Sequence, residues 1–390
     1  MNDRIRQILT CVSILVSLST ASFAVAEDGF ESLFNGQDLA GWVRTNTPEE
    51  TWRFTDGVLV CTGKPIGEIR TQQMYQNFIL ELEWRHMVPR GNAGVFVWAD
   101  DITARGVPFH RGIEVQILET AYGDGPGHTT HGDIFPIHGA SMTPIHGRKG
   151  SRAFPVENRS LASPQWNHYR IECQDGAISL AVNGKVVTRG KDAVPRKGYI
   201  CLESEGGVVE YRNVKIKELP GESLPLEQIA IADRGYQSLY SGLHLDHWDA
   251  HGSQQDWAVN DWVLAYTGTN KQGGRLSSNQ EFTDLGFVVD VRFKSEASTA
   301  AIESGTLSRI DLGQPEIKKH LEPQGKWNRI EATRVDGKDA LLVNGHSVNL
   351  EKLEKLAGKN AKSALTLVAS GGVEFCNIYA RSLANPQSPR

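Results

Sequence analysis

The chain contains one module written twice, and this constrains its fold more than any other feature. "FESLFNGQDLAGWVR" from Phe30 runs against "YQSLYSGLHLDHWDA" from Tyr236, and "TWRFTDGVLVCTG" from Thr51 against "DWAVNDWVLAYTG" from Asp256. Later, "QWNHYRIECQDGAISLAVNGKVV" from Gln165 matches "KWNRIEATRVDGKDALLVNGHSV" from Lys326, with 17 residues from Trp to Asn in each. "ESEGGVVEYRNVKI" then matches "VASGGVEFCNIYA". Order and spacing agree throughout, so whatever fold one copy adopts, the other must be able to adopt too.

Both copies read as strands. "NFILELEW" alternates, with Phe78, Leu80, Leu82 and Trp84 on one face and Ile79, Glu81 and Glu83 on the other, the period of an extended chain. "HYRIECQDGAISLAVNGKVV" reads as strands around Asp-Gly, followed by a tight hairpin turn at Asn183-Gly184. Helical periodicity is scarce, with "NLEKLEKLAGKNA" from Asn349 the best candidate. The expected fold class is all-β, two tandem antiparallel β-sandwiches.

The expected domain plan follows. Residues 1–26 carry a charged start, a short apolar run and "AVA" before Glu27, the pattern of a secretory signal peptide. Residues 27–219 form the first sandwich, 220–230 a linker through "LPGESLPLEQIA", and 231–384 a shortened second sandwich. Beyond the signal, 39 Lys and Arg stand against 45 Asp and Glu with no basic patch, which argues against a nucleic-acid partner. No later apolar run approaches the length of a transmembrane segment. The protein is expected to be periplasmic or secreted. Cys61, Cys173, Cys201 and Cys376 each sit in an apolar strand-like run, so buried free thiols are favoured over a Cys173–Cys201 bridge.

The copies differ in one place. From Asn92 to Trp166 the first spends 74 positions, while the second passes from Thr299 to Trp327 in fewer than thirty. The surplus holds His110, His128, His131, His138 and His146, five of the twelve histidines within 37 residues. The shared parts build a scaffold, so the unshared part carries whatever only the first domain does. In "GIEVQIL", Ile113, Val115 and Ile117 claim the core, which turns Glu114 and Gln116 towards the open face. By the same alternation "GNAGVFVW" puts Asn92, Gly94, Phe96 and Trp98 on one face. Gly94 there lets a ligand approach the backbone, and Trp98 offers a stacking surface for a sugar or fills the core. His128-x-x-His131, with Asp133 and Glu114, offers nitrogen and oxygen ligands to a divalent metal ion. A conventional glycosidase needs two carboxylates, and positions 112, 116 and 118 around Glu114 provide none.

"LFNGQDLAGW", "WRFTDGVLVCTG", "YQNFILELEWR", "GNAGVFVW", "GIEVQILE", "HGDIFPI" and "WNHYRIECQDGAISLAVNGKVV" together resemble the bacterial 3-keto-disaccharide hydrolase domain family, over residues 29 to 219. The second copy resembles a degenerate member that lacks "EVQILE" and "HGDIF". Departures are small: "NAG" stands where Asn-Ser-Gly is usual, and Arg70 where an aromatic or aliphatic residue is frequent. The resemblance implies a concanavalin A-like jelly roll and cleavage of glycosides already oxidised at carbon 3. It supplies no residue roles.

The chemistry explains the residue set. A ketone at carbon 3 acidifies the carbon 2 proton and places the aglycone β to the carbonyl. Removing that proton, expelling the aglycone and hydrating the resulting enone needs a base active near neutrality, which suits histidine. It also needs a hydrogen bond donor or cation at the enolate oxygen. His131 is the favoured base, with His110 or His128 as substitutes. Glu114 belongs to the catalytic group and, with Gln116, binds sugar hydroxyls or the ion. Asn92 and Trp98 contact the sugar, and Asp133 orients a histidine or ligates. The partner is a carbohydrate. The alternatives are a non-catalytic, lectin-like carbohydrate-binding module, a glycosidase on unoxidised sugars, and a structural or adhesive array.

Overall fold

The computed structural model describes residues 29–268, 273–304, 308–335, 338–352 and 362–383. The segment read as a signal peptide lies outside them, and so does residue 353 onward of the helix candidate at Asn349, of which Leu350–Lys352 form one 3₁₀ turn. Among the described residues the fold is all-β, in two sandwiches. No helix is long and apolar enough to cross a membrane.

In the first sandwich a back sheet runs Ser141–Pro144, Lys185–Val194, Ala177–Val182, Asn167–Gln174, Phe78–His86, Val209–Glu218, Val58–Cys61 and Trp52–Thr55, with Glu31–Ser32 paired beside Val209–Glu218. The front sheet runs Trp42–Thr45, Gly67–Thr71, Tyr199–Ser204, Asn92–Ala99, Gly112–Leu118 and Ile134–Ile137. All pairings are antiparallel. Phe78, Leu80, Leu82 and Trp84 from the back sheet meet Val95, Ile113, Val115 and Ile117 from the front in one buried core, as the alternation predicts. Glu81 and Glu83 face outward and pair with Arg170, Lys215 and Arg212. The predicted turns also form: Asp175 (φ 49°) with Gly176 (φ 82°), and Asn183 (φ 48°) with Gly184 (φ 84°), the left-handed pair that closes a twisted hairpin.

The second sandwich repeats the order. Its back sheet runs Trp257–Asn260, Val263–Tyr266, Val373–Ser382, Leu285–Phe293, Trp327–Val335, Lys338–Val343 and His346–Ser347, with Gln237–Ser238 paired beside Val373–Ser382. Its front sheet runs Trp248–Asp249, Gly274–Thr283, Lys362–Ser370, Thr299–Ser304 and Ser308–Asp311. Strand for strand these follow the first sandwich, except that Ile134–Ile137 and Ser141–Pro144 have no counterpart among the described residues. A separate core fills this half. All four described cysteines are free and buried, so the thiol reading holds.

The two halves touch where the first domain's segment 102–107 crosses the second domain's back sheet. Ile102 joins Tyr236, Val288 and Tyr379 in a small apolar cluster. Beside it, buried Asp290 accepts from Arg329 Nε and Nη2 at 2.8 and 2.9 Å, from Asn377 Nδ2 at 2.8 Å and from the Gly106 amide at 2.8 Å. Arg329 also donates to the Thr103 carbonyl, and Asn377 to those of Ala104 and Val107. Trp327 packs against Gly106 so closely that a Cβ there would lie 2.3 Å from the indole. That segment leads directly to His110.

Candidate active site

The groove is the outer face of the first front sheet. Alternation in Gly112–Leu118 turns Glu114 and Gln116 onto it while Ile113, Val115 and Ile117 pack inward. Cross-strand register does the rest. Glu203 sits opposite Glu68, Cys201 opposite Arg70 and Phe96, Phe96 opposite Glu114, and Gly94 opposite Gln116. Gly94 therefore leaves a notch between acids. A methyl built on it would stand 3.0 Å from Glu114 Oε1 and 3.0 Å from Glu203 Oε2, so about 6 Å is the most that can separate those two oxygens. Asn92 ties the rim together, accepting from Gln116 Nε2 at 2.9 Å and donating to Glu205.

These carboxyls do not behave as surface acids. Burial pushes Glu114 well above its ordinary value, with Glu205 adding to the rise and Arg152 opposing it. Glu203 rises strongly through burial and the charges of Glu205 and Glu114. Glu205, at the rim, is pushed up to about 7 by burial, against the lowering contacts of Glu203 and Asn92. A carboxyl–carboxylate pair of this kind titrates as one system. Glu205 is the member of the pair whose value falls near neutrality. Arg152 is the cation whose charge bears on Glu114. It lies over the Phe135 ring at 3.4 Å and donates to Asp133 at 3.0 Å.

The histidines take other places. His110 is fully buried, and its backbone and ring nitrogens both engage Glu68. His131 is held inside its own loop, Nε2 on Asp124 at 3.2 Å and Nδ1 on Thr130 at 3.1 Å. His128 packs on Gly125, His138 stacks on Phe109 and His146 is exposed. None is among the charges that act most on Glu114. The five therefore do not converge, because the Gly-rich loop closes on itself through Asp124 and Asp133 instead of folding over the groove. The metal set Glu114, His128 and His131 is corrected for the same reason. The one group of ligand atoms within 4.8 Å of one another among the described residues is Glu68, His110 and Cys201.

Two further assignments change. Trp98 does not stack on sugars: its exposure is 0%, and its Nε1 donates to the Gln76 carbonyl at 2.8 Å inside the core. The register shifts between Tyr199 and Cys201, and Trp98 adopts φ +56°. That irregularity reverses the alternation, so Asn92, Gly94 and Phe96 keep the groove face and Trp98 leaves it. Asp133 orients no histidine; it accepts from the Thr129 amide at 2.9 Å and from Arg152. Sequence reading missed Glu203, Glu205, Glu68 and Arg152. The signal for the first two lay in "CLESEGG", where the second copy reads "LVASGG".

Residues 29–217 match the family described as the 3-keto-alpha-glucoside-1,2-lyase-like domain. The first sandwich belongs to this family. No curated protein matches the chain. Among solved structures, a protein described as a glycosyl hydrolase from Parabacteroides distasonis is 22% identical, covering 49% of this chain and 94% of its own, with a TM-score of 0.38. A carbohydrate-binding module from Bacillus subtilis is 13% identical over 45% of this chain and 95% of its own, TM-score 0.34. A β-glucanase from Bacillus licheniformis is 14% identical over 49% and 97%, TM-score 0.32. At that level they bear on no residue of the groove.

In the second sandwich the positions equivalent to Glu68, Glu114 and Glu203 carry no acid. Register places Arg275 at the position of Glu68, Val368 at Glu203, Ala301 at Gly94, Arg309 at Glu114 and Thr366 at Cys201. Arg275 and Arg309 both pair with Glu303, which occupies the position of Phe96. A salt-bridge cluster stands where the first domain keeps its notch. Filling that notch gives a direct test of its use. Gly94→Ala is expected to raise KM about tenfold, the scale of one methyl in a binding pocket, with little change in melting temperature, since the crowded atoms are ends of flexible side chains. Steady-state kinetics on the variant check this.

Proposed function

We propose that the first domain cleaves 3-keto-glycosides by elimination and hydration, with a carboxylate as base. The family match supports carbohydrate as the substrate class, and the acids around Gly94 support the chemistry. Glu205 takes the carbon 2 proton, since a base that ionises near 7 is matched to neutral pH. The electron pair forms the enolate, then the carbon 1–carbon 2 double bond, and the bond from carbon 1 to the aglycone oxygen breaks. Glu203 supplies the proton that oxygen needs. Glu114, kept neutral by burial as a hydrogen-bond donor, and Arg152 face the enolate oxygen. Water then adds across the double bond. The single observation carrying this reading is that two raised carboxyls, Glu114 and Glu203, meet at one glycine notch, with the raised Glu205 held beside them by Asn92.

This reading takes the base role away from His131, whose ring nitrogens are already engaged. His131→Ala is then expected to change kcat less than tenfold, where a base would cost about 10²- to 10⁴-fold; single-turnover rates decide between them.

A second reading comes from the separation of Glu114 and Glu203. An oxygen distance of at most about 6 Å overlaps the spacing of retaining glycosidases. That mechanism requires one of the two to be ionised, and burial opposes ionisation of both. Incubation with a 3-keto-glucoside and its unoxidised parent separates the readings. Aglycone release from the ketone alone supports elimination, and release from the parent supports the glycosidase. Binding without turnover of either sugar supports a lectin-like module.

We also propose that the reaction belongs to the first domain, the second lacking the acids, and that both descend from one duplicated module. Export is proposed on the N-terminal sequence; the mature N-terminus of the protein recovered from cell fractions tests it.

A further inference from the structure

We infer that Glu68, His110 and Cys201 form a binding site for a zinc-type divalent cation beneath the groove. Glu68 and Cys201 come from neighbouring strands of the front sheet, two residues apart in register and so on the same face. His110 arrives at the end of the segment braced by the second domain. Their ligand atoms lie within 4.8 Å of one another, with Cys201 Sγ 3.7 Å from His110 Nδ1. Glu68, His110 and Cys201 are each 0% exposed.

Proximity alone would describe a hydrogen-bonded histidine. The second observation is a set of polar atoms without partners. Glu68 Oε1, His110 Nε2 and Glu203 Oε2 are all buried and make no hydrogen bond. Glu68 Oε1 is the one that belongs to the cluster, and a buried carboxylate oxygen left bare beside an imidazole and a thiol points to a missing positive group. The Glu68–His110 contact accounts for one ring nitrogen and one carboxylate oxygen only. It explains neither the thiol nor the bare atoms.

The donor set selects the ion. Thiolate, imidazole and carboxylate together suit zinc or cobalt, whereas magnesium and calcium take oxygen ligands. On binding, the Cys201 S–H bond breaks, its proton passes to solvent and a sulfur–metal bond forms, with no change in oxidation state. In the second domain Arg275 and Thr366 replace Glu68 and Cys201, so this ligand set is not repeated there. This site differs from the loop set His128 and His131, and it stands whether or not the proposed reaction is correct.

The test uses the full chain unfolded in chelator, refolded with cobalt(II) and dialysed. Expected are one cobalt per chain by elemental analysis and a sulfur-to-cobalt charge-transfer band in the near ultraviolet. Cys201→Ser should remove the band and weaken affinity at least tenfold, and His110→Gln should weaken it similarly. His128→Ala/His131→Ala should keep both metal and band. Melting curves on each variant show that it is folded. Failure of the wild-type protein to retain cobalt, an unchanged band in Cys201→Ser, or loss of metal in the loop variant would each overturn the site. Because every readout is binding or absorbance, failure here leaves the aglycone-release result untouched.

Discussion

Glu205→Gln is expected to slow cleavage of a 3-keto-glucoside by about 10²- to 10⁴-fold, the usual contribution of a general base. The substitution keeps the size and an oxygen for the Asn92 contact but removes the proton acceptor. Its pH dependence is more telling than its size. Glu205 is pushed up to about 7, so the active, ionised form accumulates as pH rises, and kcat/KM should climb to a plateau above about 7. In Glu205→Gln that limb should vanish. The same shift has a consequence for stability with the opposite sign. A carboxyl whose folded value lies above its unfolded one binds more protons in the native state. Its stabilising contribution is full at low pH and is lost as pH rises from its ordinary value through about 7. The variant should therefore lose less melting temperature between pH 5 and pH 8 than the parent. A variant with parental rate and an intact pH limb would remove Glu205 from the reaction.

What the sequence revealed and what it hid divide along one physical line. Local alternation was legible: a period of two placed Phe78, Leu80, Leu82 and Trp84 in the core and put Glu114 and Gln116 on the groove face. Turn chemistry at Asp175-Gly176 and Asn183-Gly184 was legible because left-handed backbone leaves a composition mark. The acid cluster was not, because Glu68, Glu114 and Glu203 lie far apart in sequence and only register brings them together. A search for paired carboxylates around Glu114 alone could not find a partner built across strands, and Glu203-Ser204-Glu205 lay outside it. Trp98 was misplaced by the opposite failure, a local irregularity that inverts alternation without any glycine or proline to announce it. The histidine-rich loop drew attention by composition, yet Asp124 and Asp133 spend its polar groups on holding the loop itself.

The degenerate half is expected to matter through stability, and Asp290→Ala is the variant that shows it. Asp290 has no exposed surface and balances Arg329, Asn377 and the Gly106 amide at once. Removing it strands a buried guanidinium, a loss of about 3–5 kcal/mol, which corresponds to a fall in melting temperature of roughly 10 °C for a domain of this size. Asp290→Ala/Arg329→Met should recover part of that loss, since replacing a whole buried pair by apolar groups costs far less than breaking it. The first domain should register the change through faster amide exchange in segment 103–107, whose carbonyls Arg329 and Asn377 hold. At a temperature where both forms are folded, cleavage should fall less than tenfold, because His110 keeps its own anchor on Glu68. An unchanged melting temperature would mean that the second domain does not brace the first, and the reason for retaining a copy without those acids would have to be sought elsewhere on its surface.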